Sequence, residues 1–411
     1  MSPAPLRIAL VSEHASPIAP IGHPETGGQN VYVGALARHL GRLGCDVDVY
    51  TRRAGADEPP CVALARGVTV HHVPAGPPRA VPRDELLPLM PEFAERLARR
   101  WASTPPHVVH AHFWMSGWAA QVAAAGTGAP IVQTFHALGI VKRRHQGAAD
   151  TSPPERAAIE RDLLQSVDGV IATCRDEVAE LRAMAAEACD RRRIAVIPCG
   201  VSDTFSPLGP VAGPPRRPFR LVTVSRLVPR KGIADVVRAV ALLDHDVELV
   251  IVGDAEDTGG GSAVAELRAL AAALGIADRV VLAGRMEAAD VAATMRSADV
   301  VVCAPWYEPF GIVPVEAMAC GVPVVGTAVG GLLDTVVDGV TGLLVAPRSP
   351  GDLANAIDRL LGDPAARRRF GSAGAARARA YRWPHVARSV LGAYHGVIDR
   401  AAGADPQAAL A

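Results

Sequence analysis

The sequence predicts an α/β protein built from two successive doubly wound domains. Three observations carry this. Short β-like apolar runs alternate with helical segments along nearly all 411 residues, a pattern that implies parallel sheets with helices on both faces. A Pro/Gly-rich stretch from Ser206 to Pro218 interrupts the alternation once, and the alternation then restarts. A chain of this length with 49% hydrophobic residues also holds ample material for two cores. Only 4% of residues are aromatic, so those cores are aliphatic.

The first strand is expected at Arg7–Ser12, with a helix over Gln29–Leu43 behind it. Val47–Thr51, Val68–Val73, Val108–Ala111, Pro130–Phe135, Gly169–Thr173 and Arg193–Pro198 supply the remaining strands of the first half. Pro154–Ser166 is a further helix. Each strand run is rich in β-branched residues, which suit a pleated, buried surface. After the break, strands are expected at Phe219–Ser225, Val247–Gly253, Val280–Ala283, Val300–Ala304, Pro323–Gly326 and Gly342–Val345. Residues 1–205 therefore form a first domain, 206–218 a linker and hinge, and 219–381 a second domain facing the first across a cleft. The apolar-periodic helix in 382–411 is expected to cross back to the first domain.

Charge and cysteine usage narrow the function. The formal net charge is zero, which argues against a protein that tracks nucleic acid on excess positive charge. The basic runs Lys142–Arg144, Arg191–Arg193 and Arg367–Arg369 read as solvated faces or helix ends. Of the 42 Lys and Arg residues only Lys142 and Lys231 are lysines. Seven cysteines, with no C-x-x-C spacing, fall mostly in strand or helix patterns (Cys45, Cys174, Cys199, Cys303, Cys320) and read as reduced core residues. There is no secretory pattern at the N-terminus and no apolar run of the ~18–20 residues that a membrane helix needs, so a cytoplasmic location is expected. Oligomeric state stays open, a homodimer included.

Two segments carry the chemistry. Glu308-Pro-Phe-Gly-Ile-Val-Pro-Val-Glu316 follows the strand pattern ending at Ala304 and leads into a helix start. That junction is where doubly wound proteins bind nucleotides and phosphates. The N–H groups of Phe310, Gly311 and Ile312 are placed to face an anion, and the two carboxylates to accept hydrogen bonds from sugar hydroxyls. Upstream, Ser225-Arg-Leu-Val-Pro-Arg-Lys-Gly232 follows another strand. Arg226, a flat fork, and Lys231, a point charge, suit a pyrophosphate. The two segments together read as a site for diphosphate, ribose and sugar, that is, a nucleotide-sugar donor. His110 and His112, two apart on a strand, point the same way; they read as pocket lining or packing, with metal ligation as the lesser alternative. There is no Asp-x-Asp in a suitable setting, and no metal or other cofactor is expected.

With these residues in view, the chain resembles glycosyltransferase family 4, retaining enzymes of the GT-B fold, in which two Rossmann-like domains face a cleft. The resemblance spans nearly the whole chain. It rests on Thr26-Gly-Gly-Gln-Asn-Val-Tyr-Val33, His110-Ala-His-Phe-Trp-Met-Ser-Gly117, Gln133-Thr-Phe-His-Ala-Leu138, Ser225-Arg226 with Lys231-Gly232, and the Glu308/Glu316 pair. Its nearest likenesses are bacterial sucrose-phosphate synthase-like enzymes and the inositol-phosphate N-acetylglucosaminyltransferase of mycothiol synthesis. The resemblance implies that Gly28 lies close to the diphosphate, Arg226 and Lys231 hold it, Glu308 binds the donor sugar and Glu316 the ribose, and His136 meets the sugar near the reacting carbon. Arg285 completes the expected donor set. On the acceptor side it implies Asn30, Arg83, Phe113, Ala137, Lys142 and Arg156. The inositol-phosphate enzyme grips phosphate with Lys, Tyr, Thr and Arg where this chain aligns Arg83, Phe113, Ala137 and Arg156, so two cations persist and two hydroxyls are lost. A phosphorylated acceptor is left open.

The implied activity is transfer of a hexosyl group from a UDP- or GDP-sugar to a small hydroxylated acceptor by a front-face route. The competing readings are a nucleotide-sugar-binding protein without transfer and an epimerase on the same architecture. A dinucleotide oxidoreductase is disfavoured, because no Gly-x-Gly-x-x-Gly follows the first strand.

Overall fold

The computed structural model describes residues 4–18, 28–185, 194–254 and 263–403. Thr26, Gly27, the Arg191–Arg193 run and the Gly259–Gly261 loop lie outside the described residues. The chain divides into two compact units, Met1–Pro198 with Trp383–Ala411, and Cys199–Arg382.

The sheet of the first unit contains β1 (Arg7–Val11), β2 (Asp46–Arg52), β3 (Cys61–Ala65), β4 (Val68–Val73), β5 (Val108–His112), β6 (Ile131–Thr134), β7 (Gly169–Ala172) and β8 (Ile194–Val196). Their order is β3-β4-β2-β1-β5-β6-β7-β8. All neighbours run parallel except β3, which pairs antiparallel to β4 with a bulge near Ala63. That strand is absent from the sequence reading. It is an edge strand with little buried surface, so it shows neither the continuous apolar run nor the alternation that marks a strand. Helices α1 (Gly28–Arg42), α2 (Met90–Ser103), α3 (Trp114–Ala124), α4 (Gly139–Gln146), α5 (Arg156–Ser166) and α6 (Arg175–Ala185) connect the strands. Chain order reverses between β1 and β5, which pair with each other. The loops leaving these two strands therefore open the crevice in which doubly wound sheets bind ligands.

The second unit holds β9 (Phe219–Val224), β10 (Val247–Val252), β11 (Val280–Gly284), β12 (Val300–Cys303), β13 (Val324–Thr327) and β14 (Gly342–Val345) in the order β11-β10-β9-β12-β13-β14. Every pairing is parallel. Helices α7 (Ile233–Ala241), α8 (Ala263–Ala273), α9 (Ala288–Arg296), α10 (Ile312–Ala319), α11 (Gly331–Thr335), α12 (Pro350–Leu361) and α13 (Pro364–Ala378) cover it. The reversal here falls between β9 and β12. The last helix, α14 (Trp383–Ala401), belongs to the first unit. The Trp383 ring meets Tyr32 of α1 edge-on at 5.4 Å, and the Tyr394 hydroxyl lies 2.7 Å from His110 Nδ1.

The segment expected to be a linker is not one, and the first boundary shifts from 205 to 198. Residues 199–218 belong to the second unit. Val201 bridges Arg382, whose guanidinium donates to the carbonyls of Ser202 (2.7 Å) and Phe205 (2.8 Å). Arg296 Nε donates to Pro210 O at 2.6 Å, its Nη1 to Ser206 O at 3.2 Å, and Arg220 Nη1 to Gly213 O at 2.8 Å. Pro and Gly residues give this stretch the composition of a linker, but its carbonyls remain good acceptors, and charged donors hold it down. The chain passes between units at Pro198/Cys199 and Arg382/Trp383.

Candidate functional site

In the second unit the residues singled out from sequence gather where β9 and β12 end. Gly232 takes a left-handed conformation (φ 66°), and a Cβ there would sit 1.9 Å from Ala304 O. Only glycine lets the loop after β9 press this closely on the loop after β12. Trp306 reinforces the contact: its backbone N–H donates to Arg230 O at 2.8 Å and its indole N–H to Asp235 Oδ2 at 2.9 Å. The Arg348 guanidinium stacks 4.2 Å over the indole. The Glu308 carbonyl accepts from the Gly331 N–H at 2.8 Å, and a Cβ on Gly330 would fall 2.1 Å from that same oxygen. Sequence reading missed Trp306, Asp235, Arg348 and the Gly330–Gly331 cradle. The signal available for the cradle was the paired glycines just after a strand.

Held in this way, Lys231 Nζ makes a close ion pair with Glu308 Oε2. Burial lowers the lysine's pKa, and Glu308 opposes the shift. Burial works to raise Glu308, but the Lys231 charge and hydrogen bond outweigh it and hold the carboxylate below its ordinary range. Glu316 differs. It lies on α10, half-buried, with no ion-pair partner among the described residues, and burial pushes it up to about 7. The buried Cys303 thiol at the end of β12 reports how close these groups are. Its pKa is raised by burial first and then by Glu308 and Glu316, with Lys231 opposing.

Gly311 precedes α10 in a left-handed conformation (φ 69°), and Ile312 is the first helical residue. The Phe310 N–H corrects one expectation: it is directed at Glu308 Oε1, 3.5 Å away, rather than into open space. Arg226 and Arg285 are exposed, just beyond β9 and β11.

In the first unit two of the residues expected on the acceptor side, Arg83 and Arg156, flank a third, Phe113. Its φ of 80° and ψ of 157° belong to a region that essentially only glycine occupies, and strain of this kind gathers at functional sites. The Arg156 guanidinium lies 5.0 Å and the Arg83 guanidinium 5.9 Å from the Phe113 ring centre. Arg83 is half-buried beside Asp84, at 3.5 Å.

Several of the expected residues are already held by protein partners. Arg156 is 3% exposed. It is tied to Glu160 at 2.7 Å, to Ala137 O at 2.6 Å and to Ser152 Oγ at 3.2 Å, so it braces the site from within. Lys142 is already neutralised: Asp150 lies 3.0 Å and Asp84 3.7 Å from its Nζ, and Ser152 Oγ accepts from it at 2.9 Å. Burial works to raise Asp150, but the Ser152 N–H and Lys142 hold it down at about 2. Asn30 is buried and donates to Ser16 O at 3.0 Å, tethering the loop after β1. Gly28 opens α1 and is exposed.

His136 is an interior residue with a left-handed backbone (φ 61°). It is 5% exposed, and its Nε2 lies 3.0 Å from His112 Nδ1. Burial first, and then neighbouring histidines, push both rings well below the ordinary imidazole range, so they are neutral. His110 is spanned by Tyr394 and Thr134, the latter at 2.9 Å. The pair on β5 packs the core, and among the described residues no group of three or more His, Cys, Asp or Glu is arranged to hold a metal ion.

Two doubly wound units, the second with a lysine and two carboxylates at its switch point, define a transferase of the GT-B class. Residues 27–200 match the family described as glycosyl transferase 4-like domain, and residues 210–377 match glycosyl transferases group 1. The chain belongs to this glycosyltransferase family. The D-inositol 3-phosphate glycosyltransferase of Stackebrandtia nassauensis is 36% identical over 97% of this chain and 93% of its own. Its counterpart in Acidothermus cellulolyticus is 38% identical over 96% of this chain and 91% of its own. The sucrose-phosphate synthase of Thermosynechococcus elongatus matches in structure with a TM-score of 0.86 and 33% identity, covering 96% of this chain and all of that one. Among the described residues no helix is long and apolar enough to cross a membrane.

Proposed function

We propose that this chain is a retaining hexosyltransferase that moves a GlcNAc- or glucose-type sugar from a UDP- or GDP-sugar to a small hydroxylated acceptor: a cyclitol, a sugar phosphate or a natural-product aglycone. The observation that carries the reading is the unneutralised Glu316 carboxyl near the Lys231–Glu308 pair. A half-buried carboxyl with no ion-pair partner among the described residues is costly in the empty protein and becomes useful when ribose hydroxyls donate to it. Lys231 and Arg226 meet the diphosphate, the arginine from an exposed position just beyond β9. Glu308, pinned through its own backbone, accepts from hydroxyls of the donor sugar.

As the glycosidic bond breaks, negative charge builds on the leaving diphosphate. Lys231 and Arg226 stabilise that charge more in the transition state than in the ground state. The acceptor hydroxyl attacks from the leaving-group side and passes its proton to a diphosphate oxygen. Because the two cations balance the diphosphate, transfer persists in EDTA. For the acceptor, the relatives' names pair glycosyl transfer with a small phosphorylated molecule. Here Phe113 and Ala137 offer no hydroxyl, and Arg83 is the cation left partly open to solvent.

The test is transfer from labelled UDP-glucose, UDP-GlcNAc and GDP-mannose to a panel of cyclitols, sugar phosphates and aglycones, with and without EDTA. Transfer with retained anomeric configuration is expected. Donor binding without transfer to any acceptor would favour a binding protein. An isomeric sugar released without acceptor would favour an epimerase.

A further inference from the structure

The loop leaving β1 carries a buried carboxylate that the donor and acceptor assignments leave unused. Glu13 is 1% exposed and lies where β1 opens into the crevice of the first unit. Its backbone is fixed on both sides: the carbonyl accepts from the Arg52 N–H at 2.9 Å, and the N–H donates to Ser116 Oγ at 3.0 Å. Its side chain is also held at both ends. Ser116 Oγ, in the first turn of α3, donates to Oε2, and His14 Nδ1 lies 2.7 Å from Oε1. The His14 ring then stands edge-on to the strained Phe113 ring, centroids 4.9 Å apart. Where Glu13 accepts from His14 Nδ1, the neutral ring keeps its lone pair on Nε2. Among the described residues Nε2 makes no hydrogen bond, and it is not one of the fully enclosed polar atoms.

We infer that Glu13 is a positioning residue. Clamped by Ser116, it fixes the tautomer and orientation of His14 so that Nε2 offers a lone pair to a hydroxyl of the acceptor. A buried carboxylate that fixes an imidazole through Nδ1 is a known way to set both ring orientation and basicity. The buried charge makes sense on this account. A buried carboxyl whose side-chain partners among the described residues are a serine and a histidine is poor material for stability, and an apolar side chain would fill the space at lower cost. The inference rests on the proposed transfer reaction, with the acceptor in the first unit.

The first test needs no substrate. Nitrogen-15 NMR of histidine-labelled full-length protein, with the His14 signals assigned by their loss in His14→Asn, should show the Nδ1–H tautomer. Glu13→Met should move the ring toward the Nε2–H form, while Glu13→Gln, which keeps an acceptor oxygen, should hold it. Finding Nε2–H in the wild type would overturn the inference.

The second test uses the panel acceptor that the wild type glycosylates. Glu13→Met should lower kcat/KM for acceptor at least 10-fold and change the Kd for UDP less than twofold. Glu13→Gln should recover most of the loss. In a His14→Asn background the Glu13→Met change should cost less than twofold, because a residue acting only through its partner shows no separate effect. An equal loss in that background would mean that Glu13 acts through packing and would overturn the assignment. Absence of transfer or of UDP binding in the wild type would strike at the proposed function and leave the tautomer result to decide this one.

Discussion

Lys231 and Glu316 sit in the same site under opposite electrostatic conditions. Lys231 has a carboxylate against it, whereas Glu316 has only burial. Replacing either with alanine should lower turnover at least ~100-fold, in line with loss of one preorganised polar contact, as measured by steady-state transfer. Glu316 also has a stability signature. Its folded pKa, about 7, lies above the ordinary carboxyl value of 4.5, so between those pH values the folded state holds a proton that the unfolded state has lost. Stability therefore falls as pH rises through this window. Glu316→Gln lacks that penalty. It should match the wild type near pH 4.5 and exceed it by an amount on the order of 1–3 kcal/mol by pH 8, read as a melting difference that grows with pH. A pH-independent difference would show that the carboxyl is not buried in solution. At this scale the sequence was legible in placing Lys231, Glu308 and Glu316 together at the ends of β9 and β12. It was least legible for cations. Lys142 and Arg156 were in the expected set, yet Asp84, Asp150 and Glu160 engage them from distant or neighbouring turns, and sequence spacing gives no sign of such partners.

At the scale of elements, the strand–helix alternation was readable because fully buried parallel strands are continuous Val/Ile/Leu runs. The same logic explains the two misreadings. β3 is an edge strand with mixed exposure, and residues 206–218 carry the composition of a linker while lying bound along the second unit. Arg296 is the clearest agent of that binding, donating to Pro210 O and Ser206 O from the end of α9. Arg296→Ala should therefore destabilise the second unit by about 1–3 kcal/mol, the usual scale for charge-assisted hydrogen bonds to carbonyls, measured by denaturant unfolding. Donor affinity should stay within about twofold, since none of these partners lies in the loops after β9 or β12. A loss of donor binding equal to the loss of stability would mean that the segment has a functional role as well.

For the molecule as a whole, both units repeat one device: chain order reverses in mid-sheet, and the segments just after the strands at the reversal carry the candidate site residues. In the first unit these segments hold Glu13, His14 and Phe113. In the second they hold Lys231 and Glu308, with Glu316 on the helix that follows. The fold class followed from pattern alone, and the resemblance to a glycosyltransferase family followed from five short motifs in order. Donor base, sugar and acceptor did not follow, because they depend on side chains whose contacts form only in three dimensions. The most direct test of the central claim, that the switch point of the second unit binds a nucleotide-sugar donor, is a thermal-shift panel. UDP, GDP, ADP and dTDP, alone and as their common sugars, would be compared on wild type and Glu316→Ala. A ligand at about 100 times its Kd stabilises by about 2.7 kcal/mol, which gives a readily visible shift. The expected result is stabilisation by UDP or GDP and their sugars that is lost in the variant. No shift with any nucleotide, or a shift that Glu316→Ala leaves intact, would contradict the assignment of that site.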